Sequence, residues 1–79
     1  MRVLLFARAR ELTGADAIDV ALPTAATVGD LRRALAEQSP RLATLAARSA
    51  IAVNGEYGDD ALTLPANAEV ALIPPVSGG

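Results

Sequence analysis

The residues with the most chemical potential stand at the end of the chain: Pro74-Pro75-Val76-Ser77-Gly78-Gly79. The two prolines fix φ and remove backbone donors, so they stop a strand and hold the next segment extended and away from a sheet. Two glycines follow. Lacking Cβ, Gly78 and Gly79 give the slimmest backbone for a narrow tunnel in a partner and leave a terminal carboxyl unhindered. An α-carboxyl has a pKa near ~3.5, so at neutral pH it is an anion and a poor electrophile. Conversion to an acyl-adenylate with ATP, by a separate enzyme, would activate Gly79. A sulfur donor could then displace AMP and leave a thiocarboxylate, whose sulfur is a nucleophile. Chance places Gly-Gly at the end of roughly half a percent of chains, and frayed glycine ends are common. A merely frayed end, however, has no use for the stiff Pro-Pro spacer.

The rest of the inventory points to the same place. The 79 residues include seven Arg and nine acidic residues, with no Cys, His, Lys or Trp. Soft metal ligands, a thiol nucleophile and the usual neutral-pH base are therefore missing. No disulfide forms. A persulfide has nowhere to form either, so sulfur carriage is coherent here only as a thiocarboxylate. Without Lys, the chain offers no lysine to accept its own kind through an isopeptide bond. Ser77 has no base nearby in sequence. Asp59-Asp60 lacks further oxygen ligands at suitable spacing and reads as a polar loop, not a metal site. No bound metal or cofactor is expected. A net charge of −2 and a pI near 4.8 give no basic footprint for nucleic acid. The strongly apolar run Val3 to Ala7 is far too short for a signal-peptide core or a membrane span. The expected location is cytoplasmic, with which the absence of Cys agrees.

Apolar residues make up 52% of the chain, much of it Ala, with one Phe and one Tyr. A chain this short buries roughly 60% of its unfolded surface, so one compact aliphatic core is expected. Arg2 to Ala9 alternates as a strand, with Val3, Leu5 and Ala7 on one face and Leu4 and Phe6 on the other. After Thr13-Gly14, Ile18, Val20 and Leu22 mark a second strand that forms a hairpin with the first. Thr27 and Asp30 make a capping box with Asp in place of Glu, and Val28, Leu31, Ala34 and Leu35 follow helical spacing. The helix is predicted from Val28 to about Gln38, ended by Ser39-Pro40. A shorter helical turn is expected over Leu42 to Ala47. Ile51 and Val53 mark a third strand, and Asn54-Gly55 a tight turn in which both residues tolerate positive φ. Gly58-Asp59-Asp60 reads as a loop, Leu62 and Leu64 as a short apolar segment, and Glu69 to Ile73 as the last strand. This order has one economical solution, an α+β β-grasp fold: a mixed sheet with one main helix packed on one face. The expected division is a domain over residues 1–73 and an extended tail over 74–79. Val3, Leu5, Ile18, Val20, Leu22, Ile51, Val53, Val70 and Leu72 would meet the helix. If the first and last strands are neighbours, Leu4, Phe6, Ala71 and Ile73 form an apolar patch beside the tail, unless the Pro-Pro segment or a loop covers it.

The whole chain resembles the MoaD family, the small sulfur-carrier subunits of molybdopterin synthase, within the ubiquitin-like MoaD/ThiS group. The resemblance is most specific at Val3-Leu4-Leu5-Phe6-Ala7 with Arg10-Glu11, and at Pro74-Pro75-Val76-Ser77-Gly78-Gly79. The middle of the chain supports only the ubiquitin-like fold shared by several carriers. The resemblance implies a non-enzymatic subunit in a cycle: a MoeB-like enzyme adenylates Gly79 with ATP, sulfur is loaded there, and the tail enters a MoaE-like large subunit. That complex, a heterotetramer of two small and two large subunits, transfers two sulfurs to cyclic pyranopterin monophosphate to make the dithiolene of molybdopterin. By position, Gly79 carries the sulfur and Gly78 gives the tail flexibility. Phe6 and Ile73 match apolar contact positions, and Arg10 matches a polar one. One departure stands before the last strand, where the family's Gly-Asp turn is replaced by Asn67-Ala68-Glu69. Two other classes stay open. One is another thiocarboxylate carrier, for thiamine, cysteine or tRNA thiolation, or a modifier that joins its glycine to a lysine. The other is a noncatalytic interaction domain.

Overall fold

A computed structural model describes residues 1–75. Val76, Ser77, Gly78 and Gly79, the outer part of the expected tail, lie outside the described residues. Five strands, β1 Arg2–Leu5, β2 Ala17–Asp19, β3 Ala50–Val53, β4 Glu56–Gly58 and β5 Val70–Ile73, form one sheet in the order β2-β1-β5-β3-β4. The last strand in sequence is thus the central one. It runs parallel to β1, with Val3, Leu4 and Leu5 opposite Val70, Ala71 and Leu72, and antiparallel to β3. The helices are α1 Arg8–Thr13, α2 Val28–Gln38 and α3 Ala43–Arg48, with a 3₁₀ turn Pro40–Leu42 before the third. A mixed sheet crossed on one face by its main helix is the β-grasp arrangement.

The sequence makes α2 as expected. Thr27 is extended (φ −96°, ψ 170°) and its Oγ1 accepts from the Asp30 N–H at 3.2 Å, while the Thr27 N–H donates to Asp30 Oδ2 at 2.9 Å. These two bonds satisfy donors that a helix start leaves without partners. Val28, Leu31 and Leu35 are then fully buried against Val3, Leu5, Val20, Ile51, Val53, Val70 and Leu72. Each such side chain contributes about 1.5–3 kcal/mol, which far exceeds any difference in helix propensity. Ile18 and Leu22 only partly enter this core. Asn54 (φ 51°) and Gly55 (φ 83°) make the left-handed turn between β3 and β4.

Several elements depart from the sequence pattern. The first strand stops at Leu5, not Ala9, and α1 follows; Ala7 leaves the core face and is exposed, whereas Ala9 is fully buried from the helix. β1 and β2 pair antiparallel, as the expected hairpin has them, with α1 standing in the connection between them. The second strand covers Ala17–Asp19, not Ile18 to Leu22. Gly58 belongs to β4 and pairs with Ile51. Leu62 and Leu64 lie on the connection from β4 to β5, tied to the start of α2 by a bridge between Thr27 and Thr63 and by two hydrogen bonds. The Val28 N–H donates to the Leu62 carbonyl at 2.9 Å and the Leu64 N–H to the Ala26 carbonyl at 2.8 Å; Leu64 is buried in the core. The short helix runs Ala43–Arg48, because Pro40 first imposes a 3₁₀ turn. Pro74 is buried and Pro75 exposed, so the first proline packs against the body instead of standing clear of it.

Candidate functional site

Strand register builds the candidate surface. Ala17 is opposite Leu4, Leu4 opposite Ala71, Ala71 opposite Ala52, and Ala52 opposite Tyr57. Directly opposed residues share a face, so these five form one apolar row across all five strands, on the side away from α2. Ile73, opposite Ala50, continues the face toward the end of β5. Phe6 follows Leu5, the partner of Leu72, and so stands level with Ile73. None of these side chains is buried; Phe6 is 44% exposed and Tyr57 75%. The alanines make a shallow floor, and the larger residues rise from it.

Leu4, Phe6, Ala71 and Ile73 are therefore brought together at the end of the sheet where β5 hands the chain to Pro74 and Pro75. Arg10 is not on this face. It belongs to α1, and its guanidinium lies 3.4 Å from the Asp16 carboxylate, with both side chains mostly exposed. An exposed pair of this kind is worth at most about 1 kcal/mol and leaves Arg10 open to a partner. Ala17, Ala52 and Tyr57 extend the face beyond the expected patch. For Tyr57 the sequence carries one usable signal, the Asn54-Gly55 turn, which folds Glu56-Tyr57-Gly58 back onto β3. The tail positions Val76, Ser77, Gly78 and Gly79 are outside the described residues.

Several charged groups elsewhere serve the fold. Asp60 Oδ1 accepts from Arg32 Nε at 3.2 Å and Nη2 at 3.0 Å, and Asp59 Oδ1 accepts from the Ala61 N–H at 2.9 Å. Asp59-Asp60 is thus a structural loop. The Thr27 N–H and hydroxyl, with Arg33, hold the Asp30 carboxyl below the usual carboxylate range. Among the described residues, no group of three His, Cys, Asp or Glu could hold a metal ion. The described residues bring together no nucleophile with a base. What they offer chemically is an apolar face beside the departing chain.

Fold and surface together define a small ubiquitin-like β-grasp protein with an apolar sheet face beside the point where the chain leaves β5. The chain belongs to the ThiS family, and the match runs over residues 3–79. It is 38% identical over 79 residues to the molybdopterin synthase sulfur carrier subunit of Arabidopsis thaliana, covering 100% of this chain and 82% of that protein. It is 42% identical over 81 residues to the protein of the same name in Escherichia coli (strain K12), covering 100% and 99%. Among solved structures, SAMP1 from Haloferax volcanii superposes with a TM-score of 0.84 at 32% identity, covering 99% of this chain and 97% of that one.

Proposed function

We propose that this chain is the sulfur-carrier subunit of a molybdopterin synthase and acts through a thiocarboxylate on Gly79. The observation that carries the reading is the extent of the family match, which runs through Gly78 and Gly79 to the last residue. The full-length similarity to proteins named as that subunit supports it further.

The chemistry suits a domain without a reactive side chain. A MoeB-like enzyme directs a Gly79 carboxylate oxygen onto the α-phosphorus of ATP, and pyrophosphate leaves. Sulfur at the sulfide level attacks the acyl carbon of the adenylate, AMP leaves with the bonding electrons, and loss of the sulfur's proton gives the thiocarboxylate. Inside a MoaE-like large subunit the thiocarboxylate sulfur then attacks a side-chain carbon of the pterin, an oxygen leaving group departs from that carbon with the bonding electrons, and a thioester joins Gly79 to the substrate. Hydrolysis leaves sulfur on the substrate and restores the carboxylate with oxygen from water. One carrier brings one sulfur, so the two sulfurs of the dithiolene require two loadings. A heterotetramer of two small and two large subunits provides the setting. The chain is a donor subunit, not an enzyme on its own, and binds no cofactor itself; ATP belongs to the activating enzyme.

The apolar row through Leu4 and Ala71, with Phe6 and Ile73, docks on the large subunit and points the tail into it. Pro74 and Pro75 hold the exit, and Val76, Ser77 and Gly78 span the distance to the reacting atoms. The work is cytoplasmic; among the described residues no helix is long and apolar enough to cross a membrane. Deletion of Gly79 tests the reading: the truncated chain keeps its fold and its binding to the large subunit but supports no pterin thiolation. Retained thiolation by the truncated chain contradicts the proposal, and a stable complex with a thiazole synthase instead of a MoaE-like subunit assigns the carrier to another pathway.

A further inference from the structure

Among the described residues, two alanines hold left-handed φ: Ala7 at 50° and Ala25 at 64°. Ala7, with ψ −123°, is the first central residue of a tight turn in which the Ala9 N–H donates to the Phe6 carbonyl at 3.1 Å. This is type II′ geometry, whose first central position glycine occupies freely and an L-residue occupies under strain. The other described residues with positive φ are glycine or asparagine: Gly14, Asn54 and Gly55.

Both sides of the turn are anchored. Upstream, Leu5 is 1% exposed, is paired with Leu72, and donates its N–H to the Asp16 carbonyl at 2.8 Å. Downstream, Ala9 is 0% exposed and the Glu11 N–H donates to the Ala7 carbonyl at 3.1 Å. Between two buried anchors the turn at Ala7 delivers Phe6 to the surface, level with Ile73. A glycine at position 7 would remove the strain, but it would also let the backbone beside Phe6 sample more conformations.

We propose that Ala7 is a positioning residue for complex formation: its strained turn holds Phe6 ready as an aromatic contact for the larger subunit at the exit of the tail. The inference rests on the carrier reading and adds a residue that touches no reacting atom. The strain is retained because pre-organisation lowers the ordering cost at association.

The test compares the full-length chain, Ala7→Gly and Ala25→Gly for melting temperature and for affinity to the large subunit. Ala25 lies in the connection between β2 and α2, at the other end of the sheet, and serves as the matched control. Relief of strain raises Tm by roughly 4–8 °C in both variants. Only Ala7→Gly weakens the complex, by roughly three- to tenfold, the cost of ordering a side chain and its backbone on binding. A lower Tm for Ala7→Gly, or an affinity equal to that of the wild type, overturns the inference while the carrier reading stands. Equal weakening by Ala25→Gly overturns it too, since the effect is then not local to Phe6. Failure of the wild-type chain to bind the large subunit removes the carrier reading and this inference with it.

Discussion

Asn54 and Glu69 clasp each other through two hydrogen bonds: the Asn54 N–H donates to the Glu69 carbonyl at 2.8 Å, and the Glu69 N–H donates to Asn54 Oδ1 at 2.9 Å. The clasp ties the β3–β4 turn to the entry of β5. It also shows how Asn67-Ala68-Glu69 replaces the Gly-Asp turn of the family resemblance without loosening the strand. Asn54→Ala removes one bond and puts an ordinary L-residue at φ 51°, so denaturant titration is expected to show a loss of about 1–2 kcal/mol. Asn54→Gly loses the bond alone and falls between the two.

Arg32 is the second fastener. Its guanidinium donates to the Ser49 carbonyl at 2.6 Å, to the Ala46 carbonyl and to Asp60, and its side chain is only 20% exposed. It therefore joins α2 to the end of α3 and to the loop after β4. Lysine carries the charge but not the planar fork that reaches both sides. Arg32→Lys is expected to cost about 1–3 kcal/mol in chemical denaturation, with partner binding changed little because the residue lies on the helical side of the sheet.

Asp30 sets an acid dependence. Its carboxyl is held below the usual value by the Thr27 N–H first, then the Thr27 hydroxyl, with Arg33 adding to the effect. A lowered folded-state pKa means that its contribution is complete at neutral pH and is lost as pH falls through the folded value. The stability difference between wild type and Asp30→Ala should therefore shrink as pH drops from about 5 to about 2. A difference that stays constant over that range would show that the charged form is not what caps α2.

Phe6 separates stability from recognition. The side chain is 44% exposed, so Phe6→Ala is expected to cost less than about 1 kcal/mol of folding stability by thermal melting, well short of the loss at a buried aromatic. On the proposed docking, an aromatic beside the tail exit carries more than its share of binding energy, so calorimetry against the large subunit should show affinity reduced by about tenfold or more.

The sequence made α2 legible because three signals agree there: a capping box, apolar residues at helical spacing, and a proline just past the end. The alternation of Val3, Leu4, Leu5 and Phe6 likewise sorted Leu4 from Val3 and placed Ile73 with Leu4 once β1 and β5 lie side by side. It failed at Ala7, where the pattern continues as if the strand did, although the chain has entered a turn; nothing in an alanine announces positive φ. The helix that follows is too short for periodicity to reveal. Tyr57 was hidden for another reason. Glu56-Tyr57-Gly58 has no alternating apolar pattern, and β4 exists because the Asn54-Gly55 turn folds it onto β3. Ala17 and Ala52 needed the register of all five strands before their part in the face could be seen. Gly78 and Gly79 stand out by residue type and position alone.

The most direct test is the intact mass of the full-length chain after incubation with a MoeB-like enzyme, ATP and a sulfur donor, followed by fragmentation to locate the change. A thiocarboxylate carrier gains sulfur in place of one oxygen, confined to Gly79, and loses it again when the large subunit and pterin substrate are added. An unchanged mass, sulfur located elsewhere, or attachment of the intact chain to a lysine of another protein in place of sulfur loading would contradict the carrier function.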